Sequence, residues 1–292
     1  MDFCNNLDIC LAVDAQIDHC ESNKQPKEAG DMTGQIENIE ELSVFALRLA
    51  DLAGSISMQH FRRPLAVEHK ADASPVTVAD RSVEAAMRER IEKKFPTHGI
   101  FGEEHGKEKL GGDHLWVLDP IDGTKSFITG MPTFGTLIAY LEEGTPKVGV
   151  IDIPATEERW LGVAGRPTLF NGFACQASAC RRLSEANIYA TSPDIFDAAG
   201  SVAFERVSTR AAMRRFGGDC YTYGLLASGH VDAVMEMSLE PYDYLSLVTV
   251  IEGAGGVITD WNGQALHERS DGRVLAAATP ELHAEILSLI VA

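Results

Sequence analysis

Apolar residues first take on a period at Ile36. Leu42, Phe45, Leu49, Leu52 and Ile56 recur at 3,4,3,4 spacing, with Glu41, Arg48, Asp51 and Gln59 elsewhere on the wheel; this predicts a helix that Pro64 ends. A second helix is predicted over 79–94, with Val83, Met87 and Ile91 on one face and Pro96 beyond it. Residues 115–118 form a short apolar strand. The β-rich runs 134–141 and 147–153, separated by Glu-Glu-Gly-Thr-Pro, read as a hairpin, and 159–164 as a further strand. Beyond these the pattern alternates: strands at 187–191 and 213–216, a helix at 221–227, a strand at 231–235 and a helix at 244–253. Strands at 255–259 and 274–278 follow, and Thr279-Pro280 opens a last helix as cap and first-turn proline. The pattern predicts an α/β protein with two halves: residues 34–180, two helices and a largely antiparallel sheet, and residues 181–292, an alternating layer.

Composition is that of a globular chain: 292 residues, 45% hydrophobic and 23% charged. The net charge of −18 argues against nucleic acid or an anionic membrane as the main partner, since both need a basic face. A phosphorylated small molecule stays compatible, because bound cations reverse the field of an acidic cleft. No apolar stretch approaches the roughly 18 residues that span a bilayer, and no signal-peptide core is present. Six cysteines without a CxxC suggest a reduced, cytoplasmic protein. Residues 1–33 carry −5 of the charge and no sustained period, and are expected to be a poorly ordered extension.

The candidate chemistry lies in acids at strand ends and turns. Asp119-Pro120-Ile121-Asp122-Gly123-Thr124 directly follows the strand at 115–118. Two carboxylates three residues apart, before a turn into a helix, can hold a hard cation beside a phosphate that the helix start receives. The bland alternative is a solvated acidic turn. Gly102-Glu103-Glu104 ends another apolar run, Asp80 opens the helix at 79–94, and Asp243 opens a helix in the second half; for both aspartates a capping role is the competing reading. Pro120 stands where the haloacid-dehalogenase motif Asp-x-Asp-Gly-Thr has its nucleophile, which excludes that chemistry. No phosphate-binding GxxxxGK[ST] loop occurs, and Gly253-Ala254-Gly255-Gly256 lacks the context of a dinucleotide fingerprint.

Together, Gly102-Glu103-Glu104, the run from Trp116 to Thr124, Pro241-Tyr242-Asp243 and Glu252 to Gly256 resemble the signatures of the inositol monophosphatase superfamily. Lys70, Val76-Thr77 and Asp80 fit as well, and the resemblance covers about residue 40 to the C-terminus. It implies an αβαβα layered sandwich, Mg²⁺-dependent phosphomonoester hydrolysis with two or three ions per site, and a homodimer. By the same resemblance Glu103, Asp119 and the Ile121 carbonyl hold the first metal, and Asp119, Asp122 and Asp243 the second. A third, weaker ion lies near Glu103. Thr124 and Asp80 orient and activate water, and the Gly123 and Thr124 N–H groups receive the phosphate.

The segment 215–221, with Asp219, and Leu239-Glu240-Pro241-Tyr242-Asp243 resemble the histidinol-phosphatase branch. Inositol offers hydroxyls only, whereas histidinol phosphate offers an ammonium and an imidazole that a carboxylate can pair with. Asp219 is therefore expected to face the substrate's cationic end, with Glu236 as a substrate-side carboxylate and Glu240 adding negative potential. The resemblance places the reaction in histidine biosynthesis. Inositol 1-phosphate or another small phosphomonoester is the alternative substrate. A non-catalytic protein on an inactive phosphatase scaffold is the alternative class, but such a copy is expected to lose a metal acid or Thr124, and none is missing.

Overall fold

The computed structural model describes residues 38–64, 67–69, 75–109 and 111–290. Residues 1–33, Lys70 and the three cysteines of the extension lie outside them. From Asn38 onward the chain is one compact unit.

Helix α1, Ile39–His60, starts where the Asn38 side chain accepts the Glu40 N–H at 3.0 Å. Its buried stripe runs through Leu42, Phe45, Ala46, Leu49, Ala50 and Ala53. Leu52 and Ile56, expected on that face, are only half-buried; the small residues Ala50, Ala53 and Gly54 make the close contact instead. Helix α2, Val78–Lys94, begins in a capping box between Thr77 and Asp80. A short ladder, β1 (Val67–His69) against β2 (Pro75–Thr77), precedes it.

The first large sheet has eight strands: β3 (Gly99–Gly102), β4 (Gly106–Glu108), β5 (His114–Asp122), β6 (Gly135–Glu142), β7 (Thr145–Ile153), β8 (Glu158–Val163), β9 (Leu169–Phe170) and β10 (Phe173–Ala174). Their order is β10-β9-β8-β7-β6-β5-β3-β4, antiparallel except where β3 runs parallel to β5. Helix α3, Thr124–Thr129, follows β5. The second sheet has order β12-β11-β13-β15-β14: β11 (Asn187–Ala190), β12 (Met213–Phe216), β13 (Ala233–Glu236), β14 (Val257–Thr259) and β15 (Val274–Ala277). Strands β11, β12 and β13 are parallel. Between them come α4 (Ala198–Ser208), α5 (Tyr221–Ala227) and α6 (Pro241–Gly253), and α7 (Pro280–Ile290) follows β15.

Three cores give the layering. Leu49, Met87 and Ile91 of α1 and α2 pack on Trp116, Ile138 and Val150 of the first sheet. The opposite face, with Val117, Leu137 and Ile151, packs on Leu226, Leu247 and Val250 of α5 and α6, which also meet Val234 and Ala276 of the second sheet. The far face of that sheet, with Ile188 and Leu275, packs on Phe204, Leu282 and Ile286 of α4 and α7. The result is the expected αβαβα sandwich. A Cβ on Gly149 would lie 2.0 Å from the Ser246 carbonyl, and one on Gly162 would lie 2.3 Å from Thr249 backbone. Only glycine at these sheet positions lets α6 approach this closely. Helix α6 begins three residues earlier than periodicity predicted, because Pro241 supplies a pre-set first turn and Glu240 and Asp243 form a capping box. Helix α4 has no counterpart in the sequence reading; Gly200 and Ser201 dilute its apolar period. Among the described residues no helix is long and apolar enough to cross a membrane.

Candidate active site

Strand β5 is paired with β6 through Asp119, then shifts register before Asp122. The irregularity brings both carboxylates of Asp-x-x-Asp to the same end of the sheet. Asp119 is 2% exposed, and one of its oxygens accepts the Ile121 N–H at 3.0 Å. The parallel register sets Gly102 of β3 opposite Leu118, so Glu103 falls beside Asp119. Its N–H donates to the Leu118 carbonyl at 3.2 Å and its carboxyl hydrogen-bonds Asp119. Asp243 arrives from the other side, as the third residue of α6.

Asp119, Asp122 and Asp243 each offer an oxygen within 4.8 Å of the others'. Burial, then the charges of Glu103, Asp122 and Asp243, push Asp119 well above the usual carboxylate range. Burial and the Asp122 charge do the same to Asp243. Asp122 is pushed up to about 7 by burial and then Asp219, against hydrogen bonding from Cys220. Buried like charges oppose one another's ionisation, and a divalent cation removes that opposition. An all-oxygen set of three carboxylates, with the Ile121 carbonyl close by, fits a hard ion such as Mg²⁺. Glu103 reaches the cluster through Asp119 but stands outside the 4.8 Å set.

Both aspartates with a competing capping reading do two things at once. Asp80 is fully buried. Its Oδ2 accepts the Thr77 N–H at 2.9 Å, closing the cap, while its Oδ1 lies 3.4 Å from Thr124 Oγ1. The Thr124 hydroxyl is also 3.2 Å from the Ile121 carbonyl. One Asp243 oxygen accepts the Glu240 N–H at 2.7 Å, and its carboxyl also contacts Asp119. Glu240 is exposed, caps α6 and does not line the cavity described next.

Beside the carboxylates opens a cavity of about 230 Å³. Glu103, Asp122, Gly123, Thr124 and Asp243 line one part, and Thr191, Asp219, Tyr223 and Glu236 another. Gly123 caps α3 in the left-handed region at φ 78°, where a Cβ would sit 2.7 Å from the Asp219 carboxyl carbon. Asp219 thus packs directly over the Gly123 turn, itself at φ 46°. Its Oδ2 accepts from Ser126 Oγ at 2.5 Å across the cavity wall, and α5 has no side-chain cap. Burial raises Asp219 above the ordinary carboxylate range, opposed by hydrogen bonds from Ser126 and Thr133 and by Lys125. Glu236, 3% exposed, accepts the Thr191 N–H at 2.7 Å and the Tyr223 hydroxyl at 3.3 Å.

Sequence reading missed Ser126, Thr133, Thr191 and Tyr223, which hold these two carboxylates. Thr191 carried a signal: it directly follows β11, and ligands of parallel sheets gather at the strands' carboxyl ends. The tryptophans 116, 160 and 261 are buried core residues, His230, His267, Arg181, Arg182, Arg214 and Arg215 are exposed, and Cys175, Cys180 and Cys220 are free thiols.

The layering and the acidic, oxygen-only centre define a class of layered α/β hydrolases acting on phosphate esters. The chain belongs to the inositol monophosphatase family, whose model matches residues 38–292, and it is a phosphatase of that family. It is 45% identical over 276 residues to the bifunctional phosphatase IMPL2, chloroplastic, of Arabidopsis thaliana, covering 91% of this chain and 78% of the relative. Against histidinol-phosphatase of Chlorobaculum parvum the identity is 35% over 247 residues, 84% of this chain and 95% of the relative. A solved inositol monophosphatase from Zymomonas mobilis superposes with TM-score 0.81 at 44% identity, covering 88% of this chain and 100% of that one.

Proposed function

We propose that the chain hydrolyses histidinol phosphate to histidinol and phosphate, with Mg²⁺ held by Asp119, Asp122, Asp243, Glu103 and the Ile121 carbonyl. One observation carries the substrate assignment: the cavity holding the metal carboxylates has a further acidic wall, Asp219 and Glu236. Each carboxylate has about four acceptor sites, so the donors already on Asp219 and Glu236 leave room for an ammonium or imidazole. A neutral polyol gains little from such a wall. The histidinol-phosphatase relative supports the same reading.

Two or three bound ions would offset the charge of the phosphate and make a water molecule more acidic. The chain's own residues do the positioning. The Thr124 hydroxyl, between the Ile121 carbonyl and Asp80, orients the attacking water, and Asp80 takes up its proton. The Gly123 and Thr124 N–H groups at the start of α3 receive the phosphate. Asp219 holds the amino-alcohol body and so aligns the ester bond, as phosphoryl transfer depends on positioning more than on a covalent nucleophile.

A cytoplasmic location belongs to the same reading and is supported by the free thiols; the name of the Arabidopsis relative places that protein in the chloroplast. A homodimer, and small phosphomonoesters rather than nucleic acid or membrane as partners, follow from the resemblance and the net charge of −18.

The test is Asp219→Asn, which preserves shape and can still accept from Ser126. Loss of a charge-assisted contact costs about 1.5–3 kcal/mol, or roughly ten- to a hundredfold in kcat/KM. Histidinol phosphate should suffer that loss, and inositol 1-phosphate much less. Equal losses on both substrates would make Asp219 a structural residue.

A further inference from the structure

Glu103 sits on the tight connection between β3 and β4, and what holds that connection lies outside the cavity. The carboxylate of Glu84, fully buried on α2, accepts the Glu104 N–H at 2.6 Å and the His105 N–H at 3.1 Å. It is therefore bonded to both backbone donors immediately after Glu103. Arg88, one helical turn further on, donates from Nε to Glu84 at 2.7 Å. Its second arm donates to the Gly106 carbonyl, where β4 begins. The two side chains form a clamp that spans 104–106. Gly102, just before Glu103, completes the fit: a Cβ there would lie 2.1 Å from a Glu84 oxygen, so only glycine lets the carboxylate reach the loop.

Asp80, Glu84 and Arg88 are spaced four residues apart and share one face of α2. The helix that presents Asp80 to Thr124 thus also grips the loop that presents Glu103 to Asp119. A buried ion pair is weak evidence for stability, since apolar residues of similar volume often serve a fold as well. What such residues would lack is acceptors for two backbone N–H groups and a donor for a carbonyl, which fix where Glu103 points.

We infer that Glu84, braced by Arg88, is a positioning residue that sets the reach of Glu103 toward the metal cluster and thereby the affinity for Mg²⁺. The inference rests on the reading of Glu103 as a metal ligand. Groups that orient metal ligands typically change metal affinity about 10- to 100-fold when replaced.

The experiment is calorimetric titration of Mg²⁺ into the phosphate-free, full-length protein, alongside the Mg²⁺ concentration for half-maximal phosphate release. The variants are Glu84→Gln, Arg88→Lys, Glu103→Gln and Glu84→Gln/Glu103→Gln, with far-UV circular dichroism confirming the fold. Glu84→Gln should weaken Mg²⁺ binding about tenfold and raise the half-activating concentration to match, with turnover largely recovered at saturating Mg²⁺. In the Glu103→Gln background it should change Mg²⁺ affinity no further, because it acts through Glu103. Arg88→Lys, which keeps the charge but loses the two-armed grip, should shift affinity the same way by a smaller factor, and it carries the test if Glu84→Gln does not fold. Unchanged Mg²⁺ affinity in a folded Glu84→Gln or Arg88→Lys protein, or an equal further loss in the double variant, overturns the inference while the ligand reading stands. Wild-type Mg²⁺ affinity in Glu103→Gln overturns the ligand reading and the inference with it.

Discussion

Replacing Asp119 with Asn should make the metal-free protein more stable and the enzyme all but inactive. Asp119 is 2% exposed and has oxygens of Asp122 and Asp243 within 4.8 Å. At that separation and an effective dielectric of about 20, each fully ionised pair costs about 3.5 kcal/mol. The pocket relieves part of this by holding protons, as the upward shifts of all three aspartates show. A net gain of roughly 1–3 kcal/mol therefore remains for the isosteric amide. The substitution leaves the local backbone intact, because the amide oxygen can still accept the Ile121 N–H that Asp119 accepts now. For a protein of this size the gain corresponds to a rise in Tm of about 2–6 °C. Thermal melts in EDTA and in Mg²⁺ measure it. Wild type should gain stability from Mg²⁺, since a ligand that binds only the folded state stabilises it; Asp119→Asn should gain much less and should lose several orders of magnitude in turnover. A metal-free Tm below wild type, or near-normal turnover, would refute the reasoning that this cluster is held together by cations.

Two further expectations concern the body of the protein and its extension. Burial lowers the pKa of His283 below its usual value, and its Nε2 lies 2.9 Å from Thr259 Oγ1; the unfolded chain therefore takes up this proton first, and stability should fall as pH drops through about 6.5. Melts of wild type and His283→Gln between pH 7.5 and about 5 check this: the variant should show the shallower decline, and parallel curves would remove His283 from the account. A chain beginning at Met32 should keep the Tm and turnover of the full chain, because the family match begins at residue 38; calorimetry and a phosphate-release assay decide, and a large loss of either would assign the extension a role.

The Asp119–Thr124 side of the site was legible in the sequence because its groups are local. Asp119, Ile121, Asp122, Gly123 and Thr124 share one strand end, and the register shift that turns both carboxylates to the same end is confined to residues 119–122. Glu103 was recognisable from its motif, yet its place beside Asp119 depends on β3 pairing parallel to β5, a contact that periodicity does not encode. For Asp80 and Asp243 the capping and functional readings competed on paper, whereas one oxygen of each can cap while the carboxyl still faces the site. The second acidic wall of the cavity was half legible. Asp219 and Glu236 were named, but Ser126, Thr133, Thr191 and Tyr223, which fix them, come together only through tertiary packing. In the fold, the α1 stripe was displaced toward Ala50 and Ala53 because close helix-to-sheet contact selects small residues over large apolar ones.

Whether a metal-dependent centre here serves an ester carrying a cation is decided by kcat/KM for phosphate release from histidinol phosphate and from inositol 1-phosphate, each measured in Mg²⁺ and in excess EDTA. Neither ester should turn over in EDTA, and in Mg²⁺ histidinol phosphate should be preferred by about tenfold or more, the worth of one charge-assisted contact. Turnover that persists in EDTA would contradict the metal centre, and a preference for inositol 1-phosphate would contradict the role given to Asp219 and Glu236.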